Sequence, residues 1–324
     1  MESWNNYSAD LTKYLDQIVT VKEPSRLYEP VKYILNLGGK RLRPLLTLMT
    51  ADFFSEDYQR AMNAALAVEL FHNFSLIHDD IMDNAPLRRG KETVHEKWDV
   101  NTGILSGDAM LILAYQLFEV YEPPLFRELA ELFSKTAIEV CEGQQYDIDF
   151  ETRDDVTISE YIKMIDYKTA VLMGAAMKMG AIVAGVSESS KESIYQFGRN
   201  LGIAFQLQDD YLDVFGNPET FGKQTGGDII ANKKTFLYLT ALKKSSNSEA
   251  ETIRQLFVDN PNDPSEKIST VKTIYETSGA AEATLTEIEN YTQKANAVLD
   301  KIFLSDERKS MLKEFGAQLM NRSV

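Results

Sequence analysis

The chain has 324 residues, of which 44% are hydrophobic and 26% are charged, a composition that excludes disordered and fibrous proteins. Its 49 acidic and 34 basic residues give a net charge of −15, so polyanions are repelled and no nucleic-acid partner is expected. A single cysteine predicts no intrachain disulfide, and the polar N-terminus predicts no signal peptide. The longest apolar stretch, residues 171–186, is too short to span a membrane, so we expect a cytoplasmic protein without a transmembrane segment.

Apolar residues recur at intervals of three and four along most of the chain, which is the period of helices that bury one face. Strand-like alternation is hard to find, and no change in composition marks a linker. We therefore predict an all-α protein in which residues 1–324 form one domain. The predicted helices cover residues 7–21, 27–37, 44–55, 58–83, 101–121, 124–148, 158–185, 188–215, 231–244, 249–258, 265–276, 280–300 and 306–321.

Two distant segments share one pattern, a mostly apolar helix that ends in Asp-Asp-x-x-Asp. Their sequences are HNFSLIHDDIMD at 72–83 and GIAFQLQDDYLD at 202–213. Residues four apart share a helix face, so Asp79 and Asp83 point the same way, about 6 Å apart along the axis. The acidic residues of the two segments are Asp79, Asp80 and Asp83, and Asp209, Asp210 and Asp213.

Three carboxylates in one helical turn repel one another and oppose the helix dipole at a C-terminal end. Divalent cations offset that cost, and Mg²⁺ suits one or two carboxylates completed by water and substrate phosphate. Two such clusters therefore favour magnesium sites for a phosphate compound. The alternatives are two solvated acidic helix ends, a general acid–base pair, or the His-Asp pair of metal-dependent phosphohydrolases, for which three histidines are too few.

Basic residues concentrate in short segments of this acidic chain. GGKRLRP at 38–44 follows one predicted helix and opens the next, so the glycines suit a helix end and Pro44 suits the first helical position. Lys40 and Arg43 would then lie beside a helix N-terminus, which favours an anion, unless this is only a solvated charged loop. The other candidates are Arg88, Arg89 and Lys91 after the first acidic cluster, Lys168 with Thr169, and Lys223 and Lys233 after the second.

The motifs together resemble those of a known family. GGKRLRP, HNFSLIHDDIMD, RRGK, YKT, FQLQDDYLD, GK and NKKT follow one another in the order found in trans-isoprenyl diphosphate synthases, also called polyprenyl synthetases, which include farnesyl and geranylgeranyl diphosphate synthases. The resemblance covers about residues 30–240. It implies a single large helical bundle around a central cavity, the isoprenoid synthase type of fold, in a homodimer.

The resemblance also implies roles for residues at the matching positions. Mg²⁺, three ions per active site, would be bound by Asp79, Asp83 and Asp209. The catalytic residues would be Asp79, Asp80, Asp83, Asp209, Lys168 and Lys233. The allylic diphosphate would be held by Arg88, Lys168, Thr169, Gln206, Lys223 and Lys233, and isopentenyl diphosphate by Gly39, Lys40, Arg43, His72 and Arg89.

The implied reaction condenses isopentenyl diphosphate head-to-tail with an allylic diphosphate by ionisation, condensation and elimination. Loss of the allylic diphosphate leaves a carbocation, while Mg²⁺ and the basic side chains stabilise the negative charge that develops. No side chain in the motifs is an evident base, so the departing diphosphate would take the proton. Water must be excluded, because it would quench the cation.

The length of the product is predicted from the residues before the first acidic motif. In the family, an aromatic residue five positions before this motif limits elongation, and Phe74 holds that position, with Ser75 next to it and Phe71 one turn earlier. The motif also lacks the two-residue insertion of bacterial farnesyl diphosphate synthases. A short product is expected, C20 first and C15 second, unless Phe74 is an ordinary core residue.

Two other functions are compatible with parts of this pattern. A class I terpene synthase would ionise the same allylic substrate and cyclise it, but would leave Lys40 and Arg43 without a second diphosphate to bind. A non-catalytic diphosphate-binding regulatory subunit would commonly lack aspartates in one motif, whereas both motifs are intact here. The sequence therefore favours a condensing prenyltransferase.

Overall fold

The structure is a computed structural model that describes residues 2–217, 225–258, 261 and 263–320. These residues form α-helices almost throughout, which confirms the predicted all-α fold class. The first helices are α1 (Glu2–Ile18), α2 (Ser25–Asn36), α3 (Leu42–Ser55), α4 (Met62–Met82), α5 (Val94–Lys97) and α6 (Val100–Gln116). The later helices are α7 (Pro123–Thr152), α8 (Ile158–Ile165), α9 (Val171–Val183), α10 (Glu188–Phe215), α11 (Gly227–Ile230), α12 (Phe236–Lys244), α13 (Asn247–Leu256), α14 (Ser265–Thr277), α15 (Ala280–Leu299) and α16 (Asp306–Met320).

Several short elements connect these helices. The 3₁₀ turns Tyr58–Ala61 and Leu117–Val120 precede α4 and follow α6. A π-helical turn, Asp166–Ala170, separates α8 from α9. Strand β1 (Leu87–Arg88) pairs antiparallel with β2 (Lys91–Glu92), so that a hairpin follows closely on the end of α4.

Most predicted helices lie close to the observed ones. The helix predicted over 188–215 matches α10 residue for residue. The helix predicted over 158–185 is divided by the π-helical turn. The helix predicted over 231–244 is wrong at its start, because Thr235 is the N-cap of α12 and its side-chain oxygen accepts a hydrogen bond from the N–H of Tyr238.

The chain divides into two compact units. The first unit comprises Met1–Ser134 and Ala175–Glu192, and the second comprises Lys135–Gly174 and Ser193–Val324. The first acidic motif and the basic segments around residues 38–44 and 88–91 belong to the first unit, and the second acidic motif belongs to the second unit. That residues 1–324 form one domain stays a prediction.

The core of the first unit is built around α4. This helix is apolar on nearly every side, as a central helix must be, and every residue from Ala64 to Phe71 is buried. It packs against α6 and α3. Since these early turns are fixed by packing, the last turn of α4 presents its aspartates from a rigid support.

The core of the second unit collects apolar side chains from several helices, among them Phe150, Tyr161, Leu207 and Leu237. Leu207 lies on α10 two residues before the second acidic motif and is fully buried. The apolar face of α10 therefore anchors the turns that carry Asp209, Asp210 and Asp213.

One helical stretch, Val100–Val120, is long and apolar enough to cross a membrane by length and composition. Core helices of soluble proteins can have the same length and composition. It is not the apolar stretch singled out in the sequence, residues 171–186, and each of the two is interrupted by charge, Asp108 in the former and Lys178 in the latter. The expected cytoplasmic location and lack of a transmembrane segment stay predictions.

Candidate active site

The first acidic motif ends α4, and one of its three carboxylates is already neutralised. Asp80 is 1% exposed, and the Nε of Arg88 donates to both of its oxygens, at 2.9 and 3.0 Å. Asp83 is the C-cap of α4, and its N–H donates to the carbonyl of Asp79 at 2.8 Å. Arg88 is directed at Asp80, and Asp79 and Asp83 are the other two carboxylates of this motif, one turn apart.

The donor chemistry of this motif fits Mg²⁺. Asp79 and Asp83 supply hard oxygen ligands, which magnesium prefers. Among the described residues, no group of three or more histidine, cysteine or acidic side chains is arranged to hold a metal. Magnesium keeps several waters and takes one or two carboxylates together with substrate phosphate, and Asp79 and Asp83 could supply the carboxylates.

The segment GGKRLRP turns sharply between α2 and α3. Gly38 follows the C-cap of α2 with a φ of 79°, the left-handed conformation that glycine adopts at a helix end. Arg41 is the N-cap of α3, also left-handed at a φ of 44°. The expectation that Pro44 is the first helical residue is wrong, because this left-handed N-cap starts α3 at Leu42 and makes Pro44 the third.

The structure brings together four of the residues expected to bind isopentenyl diphosphate. Nη1 of Arg43 lies 3.3 Å from Nε2 of His72. Nη1 of Arg89 donates to the carbonyl of Gly38. A side chain on Gly39 would meet the guanidinium of Arg89 at 2.7 Å, and the φ of 124° at this position favours glycine. The remaining residue, Lys40, is exposed in the same turn.

Burial and positive charge fix the protonation of His72. Burial lowers its pKa well below the usual value, and Arg43, Arg89 and Arg88 lower it further. The imidazole is therefore neutral, so its Nε2 can accept the hydrogen bond that Arg43 donates. The ring then carries its proton on Nδ1.

The hairpin after α4 carries Arg88 and Arg89 in adjacent positions. Arg89 and Gly90 have φ values of 52° and 74°, and two positive values in a two-residue loop are typical of a type I′ turn. Arginine is strained in this conformation. The turn holds Arg88 toward Asp80 and Arg89 toward Gly38.

Aromatic side chains line α4 before its acidic end. Phe71 is 1% exposed and packs against Phe74, with ring centroids 5.5 Å apart, and against Phe133 at 5.2 Å. Phe74 also packs edge-on against His78 at 4.7 Å. Ser75 donates to the carbonyl of His72. The two phenylalanines predicted to set chain length therefore belong to one apolar layer on α4.

In the second unit, a chain of hydrogen bonds links two residues expected to bind the allylic diphosphate, Thr169 and Gln206, to the second acidic motif. Thr169 donates to Oε1 of Gln206 at 3.0 Å, and Nε2 of Gln206 donates to Asp210 at 2.9 Å. The hydroxyl of Tyr161 also donates to Asp210. Burial raises the pKa of Asp210 to about 7, and the charges of Asp209 and Asp213 act in the same direction.

Lys168 and Lys233 meet on one acid, Asp147. Lys168 Nζ lies 2.7 Å and Lys233 Nζ 3.3 Å from the same oxygen of Asp147. Lys233 also contacts Glu151 at 2.8 Å. Although burial alone would raise it, the pKa of Asp147 is lowered by the charges and hydrogen bonds of the two lysines. Lys223 lies outside the described residues.

The π-helical turn that carries Lys168 and Thr169 is packed against backbone on two sides. A side chain at Gly143 of α7 would meet the backbone nitrogen of Lys168 at 2.2 Å, and one at Gly202 of α10 would meet the Cα of Ala170 at 2.6 Å. Both glycines are needed for this close packing. Single π turns are frequent at functional sites.

Two acids of this cluster had no role assigned from the sequence, Asp147, whose position is plausible there, and Asp228, which the sequence does not single out. The N–H of Asp228 donates to Asp213 at 2.9 Å, and burial with the nearby charges of Asp210 and Asp213 raises the pKa of Asp228 well above its usual value. Asp147 lies four residues after Gly143. Asp228 is a lone acid in the sequence, whereas Asp147 is one of several acids in residues 142–155, and nothing in that pattern distinguishes it from its neighbours.

Comparisons with known proteins extend over both acidic motifs. The polyprenyl synthetase family matches residues 24–276. Geranylgeranyl diphosphate synthase of Methanosarcina mazei is 41% identical over 241 residues, 74% of each chain. Geranylfarnesyl diphosphate synthase of Natronomonas pharaonis is 38% identical over 261 residues, 75% of each chain. A crystal structure of geranylgeranyl pyrophosphate synthase has a TM-score of 0.96 at 56% identity and covers 100% of both chains.

Proposed function

The chain belongs to the polyprenyl synthetase family and is a short-chain prenyltransferase with the all-α isoprenoid synthase fold, and from this premise we propose how its residues perform the reaction. Its substrates are isopentenyl diphosphate and an allylic diphosphate, a C20 product is favoured, and the activity depends on a divalent metal.

The metal is Mg²⁺, three ions per active site, bound by Asp79, Asp83 and Asp209. The oxygen donors of Asp79 and Asp83, one turn apart at the end of α4, support this choice. When bound, the ions neutralise the charge of the departing diphosphate. Asp80 has a supporting role, because its ion pair with Arg88 directs that arginine.

Isopentenyl diphosphate is held by Gly39, Lys40, Arg43, His72 and Arg89. The observation that supports this site best is the arrangement of Arg43, His72 and Arg89. Two arginines and a neutral histidine, from three separate segments, present hydrogen-bond donors to one anion. Arginine forks recognise phosphate oxygens in pairs. A second diphosphate site of this kind has no use in a terpene synthase, which takes one diphosphate.

The allylic diphosphate is held by Arg88, Lys168, Thr169, Gln206, Lys223 and Lys233. Lys168 and Lys233 stabilise the negative charge that develops on its oxygens as the C–O bond breaks, which is the electrostatic contribution that dominates most catalysis. The alkene of isopentenyl diphosphate then bonds to the allylic carbon, and a proton passes to the departing diphosphate. No protein base is required.

A product assay tests this function and the role of Phe74. The wild-type enzyme with isopentenyl diphosphate, an allylic primer and Mg²⁺ is expected to give mainly a C20 diphosphate. Phe74→Ala is expected to shift the product to C25 or longer, because removal of the ring leaves room in the apolar layer on α4 for a longer prenyl chain. Chromatography of the dephosphorylated products measures chain length.

Phe74→Tyr serves as the control, because it keeps the ring and should keep the C20 product. An unchanged product from Phe74→Ala would contradict the role of Phe74 alone. Cyclic hydrocarbons formed without isopentenyl diphosphate would instead indicate a terpene synthase, and a lack of any turnover would indicate a non-catalytic subunit.

The enzyme acts as a homodimer through an apolar face of α6. Ile104, Leu105 and Ile112 lie on one stripe of this helix and are 41%, 58% and 58% exposed. Large exposed apolar patches mark interaction surfaces. Light scattering should therefore give twice the chain mass of 36.7 kDa, and Ile112→Lys should give monomers, whereas the equally drastic Leu285→Lys on α15 should not. A monomeric wild type would contradict the proposal.

A further inference from the structure

Glu69 is a buried acid that belongs to none of the motifs. It lies on α4, one turn before His72, and is 4% exposed. In the described part of the first unit, the buried acidic residues are Glu69 and Asp80. Asp80 is matched by Arg88, so the role of Glu69 is the one left unexplained.

The carboxylate of Glu69 is held at one oxygen only. Nδ2 of Asn73 donates to its Oε1 at 3.0 Å and to its main-chain carbonyl at 2.9 Å. Oε2 is buried and has no hydrogen-bond partner among the described residues. A buried carboxylate oxygen without a donor is costly unless nearby positive charge compensates it.

Three arginines supply that charge. Burial raises the pKa of Glu69, and the hydrogen bond from Asn73 and the charges of Arg41, Arg43 and Arg89 oppose the rise. The interaction is reciprocal, because burial lowers the pKa of Arg89 and the charge of Glu69 opposes that change. His72 is neutral and adds no charge. Glu69 lies one turn before His72, which Arg43 approaches to 3.3 Å, so its buried carboxylate is placed beside this group of cations.

The cations need such a partner before substrate arrives. Arginines clustered without an anion repel one another, and each could rotate toward solvent. Building on the proposed function, we propose that Glu69 is a positioning residue for isopentenyl diphosphate, whose carboxylate holds Arg43 and Arg89 in the arrangement that receives this diphosphate. Glu69 does not touch the substrate, because two anions in contact would repel.

The inference predicts an effect on one substrate only. Arg88, on the allylic side, is oriented by Asp80 and not by Glu69. Glu69→Gln is expected to raise KM for isopentenyl diphosphate about tenfold, a coupling usual between neighbouring charged groups. KM for the allylic diphosphate should change less than about twofold. Glu69→Asp keeps the charge, so it should raise KM for isopentenyl diphosphate less than Glu69→Gln does.

Whether KM for isopentenyl diphosphate rises or falls in Glu69→Gln distinguishes a positioning role from simple charge repulsion. If Glu69 acted only through its charge, its removal would strengthen the attraction for an anion and lower KM for isopentenyl diphosphate. A lowered or unchanged KM, or equal rises for both substrates, would overturn the inference. Steady-state kinetics with each substrate varied in turn provide the measurement.

The pH dependence gives a second readout that a purely structural role would not change. As pH falls through the raised pKa of Glu69, the wild-type carboxylate is protonated and the enzyme comes to resemble the Glu69→Gln variant. The ratio of the two KM values for isopentenyl diphosphate, variant over wild type, should therefore fall toward one in acid. Ionisation of the substrate affects both enzymes and cancels in the ratio. A ratio independent of pH would contradict the inference.

Two further variants make the result specific. Glu139→Gln is the matched control, since Glu139 also has a buried Oε2 without a hydrogen-bond partner among the residues described and a pKa raised by burial, but belongs to the second unit. It should leave KM for isopentenyl diphosphate unchanged. Arg43→Gln tests the proposed site itself: if it does not raise this KM, the site is wrong. If it does and Glu69→Gln does not, only the inference fails.

Discussion

Asp79→Asn is expected to lower kcat/KM by about 10³-fold, since groups that stabilise developing charge are each worth about 10² to 10³. Asparagine keeps the size of the side chain but removes the charge that a magnesium ligand contributes. The Mg²⁺ concentration that gives half the maximal rate should rise at the same time. Steady-state rates measured over a Mg²⁺ titration report both quantities.

Asp52→Asn is a suitable control for this substitution. Asp52 lies on α3, also in the first unit, and accepts a hydrogen bond from the hydroxyl of Tyr7 at 2.6 Å. An asparagine oxygen can still accept that bond, so the rate and its Mg²⁺ dependence should be close to those of the wild type. If Asp79→Asn kept more than about a tenth of the activity with an unchanged Mg²⁺ dependence, the proposed metal site would be refuted.

Asp147→Asn is expected to lower kcat about 10²-fold, because Lys168 and Lys233 both lose the carboxylate that orients them. The lowered pKa of Asp147 keeps it ionised at neutral pH, so the substitution removes a full charge. Misplaced donors lose most of their transition-state stabilisation. Single-turnover rates with saturating substrates isolate this effect from binding.

Glu151→Gln provides the comparison for Asp147. Glu151 contacts Lys233 at 2.8 Å and its side chain is half exposed. Glu151→Gln should lower kcat less than about tenfold, since exposed ion pairs contribute little. If the two substitutions lowered kcat equally, the proposal that Asp147 orients both lysines would be contradicted.

The sequence predicts the helical framework well where a strong apolar period runs without interruption. α10 is the clearest case, because its period continues unbroken from Glu188 to Phe215. The first acidic motif is predicted for the same reason, since the apolar residues between Ala64 and Phe71, interrupted there by Glu69, require a buried helix. Local pattern and tertiary packing agree in both helices.

The π-helical turn at Asp166–Ala170 could not be predicted, because one extra residue in a turn leaves the apolar period nearly intact. Its cause is tertiary: Gly143 and Gly202 bring two other backbones against it. Glu69 and Asp147 escaped for a related reason. An acid in a helix has the same sequence pattern whether it faces solvent or a buried cation, and only packing distinguishes the two.

The hairpin after α4 limits how this surface loop can change. Most exposed turns accept extra residues, but this one has a two-residue loop whose neighbouring arginines reach different segments, Arg88 to the end of α4 and Arg89 to the turn after α2. One inserted residue would lengthen the loop and break the contact of at least one of these arginines. Designers who need a position for a tag, a label or a grafted peptide should therefore avoid residues 87–92, however accessible they are.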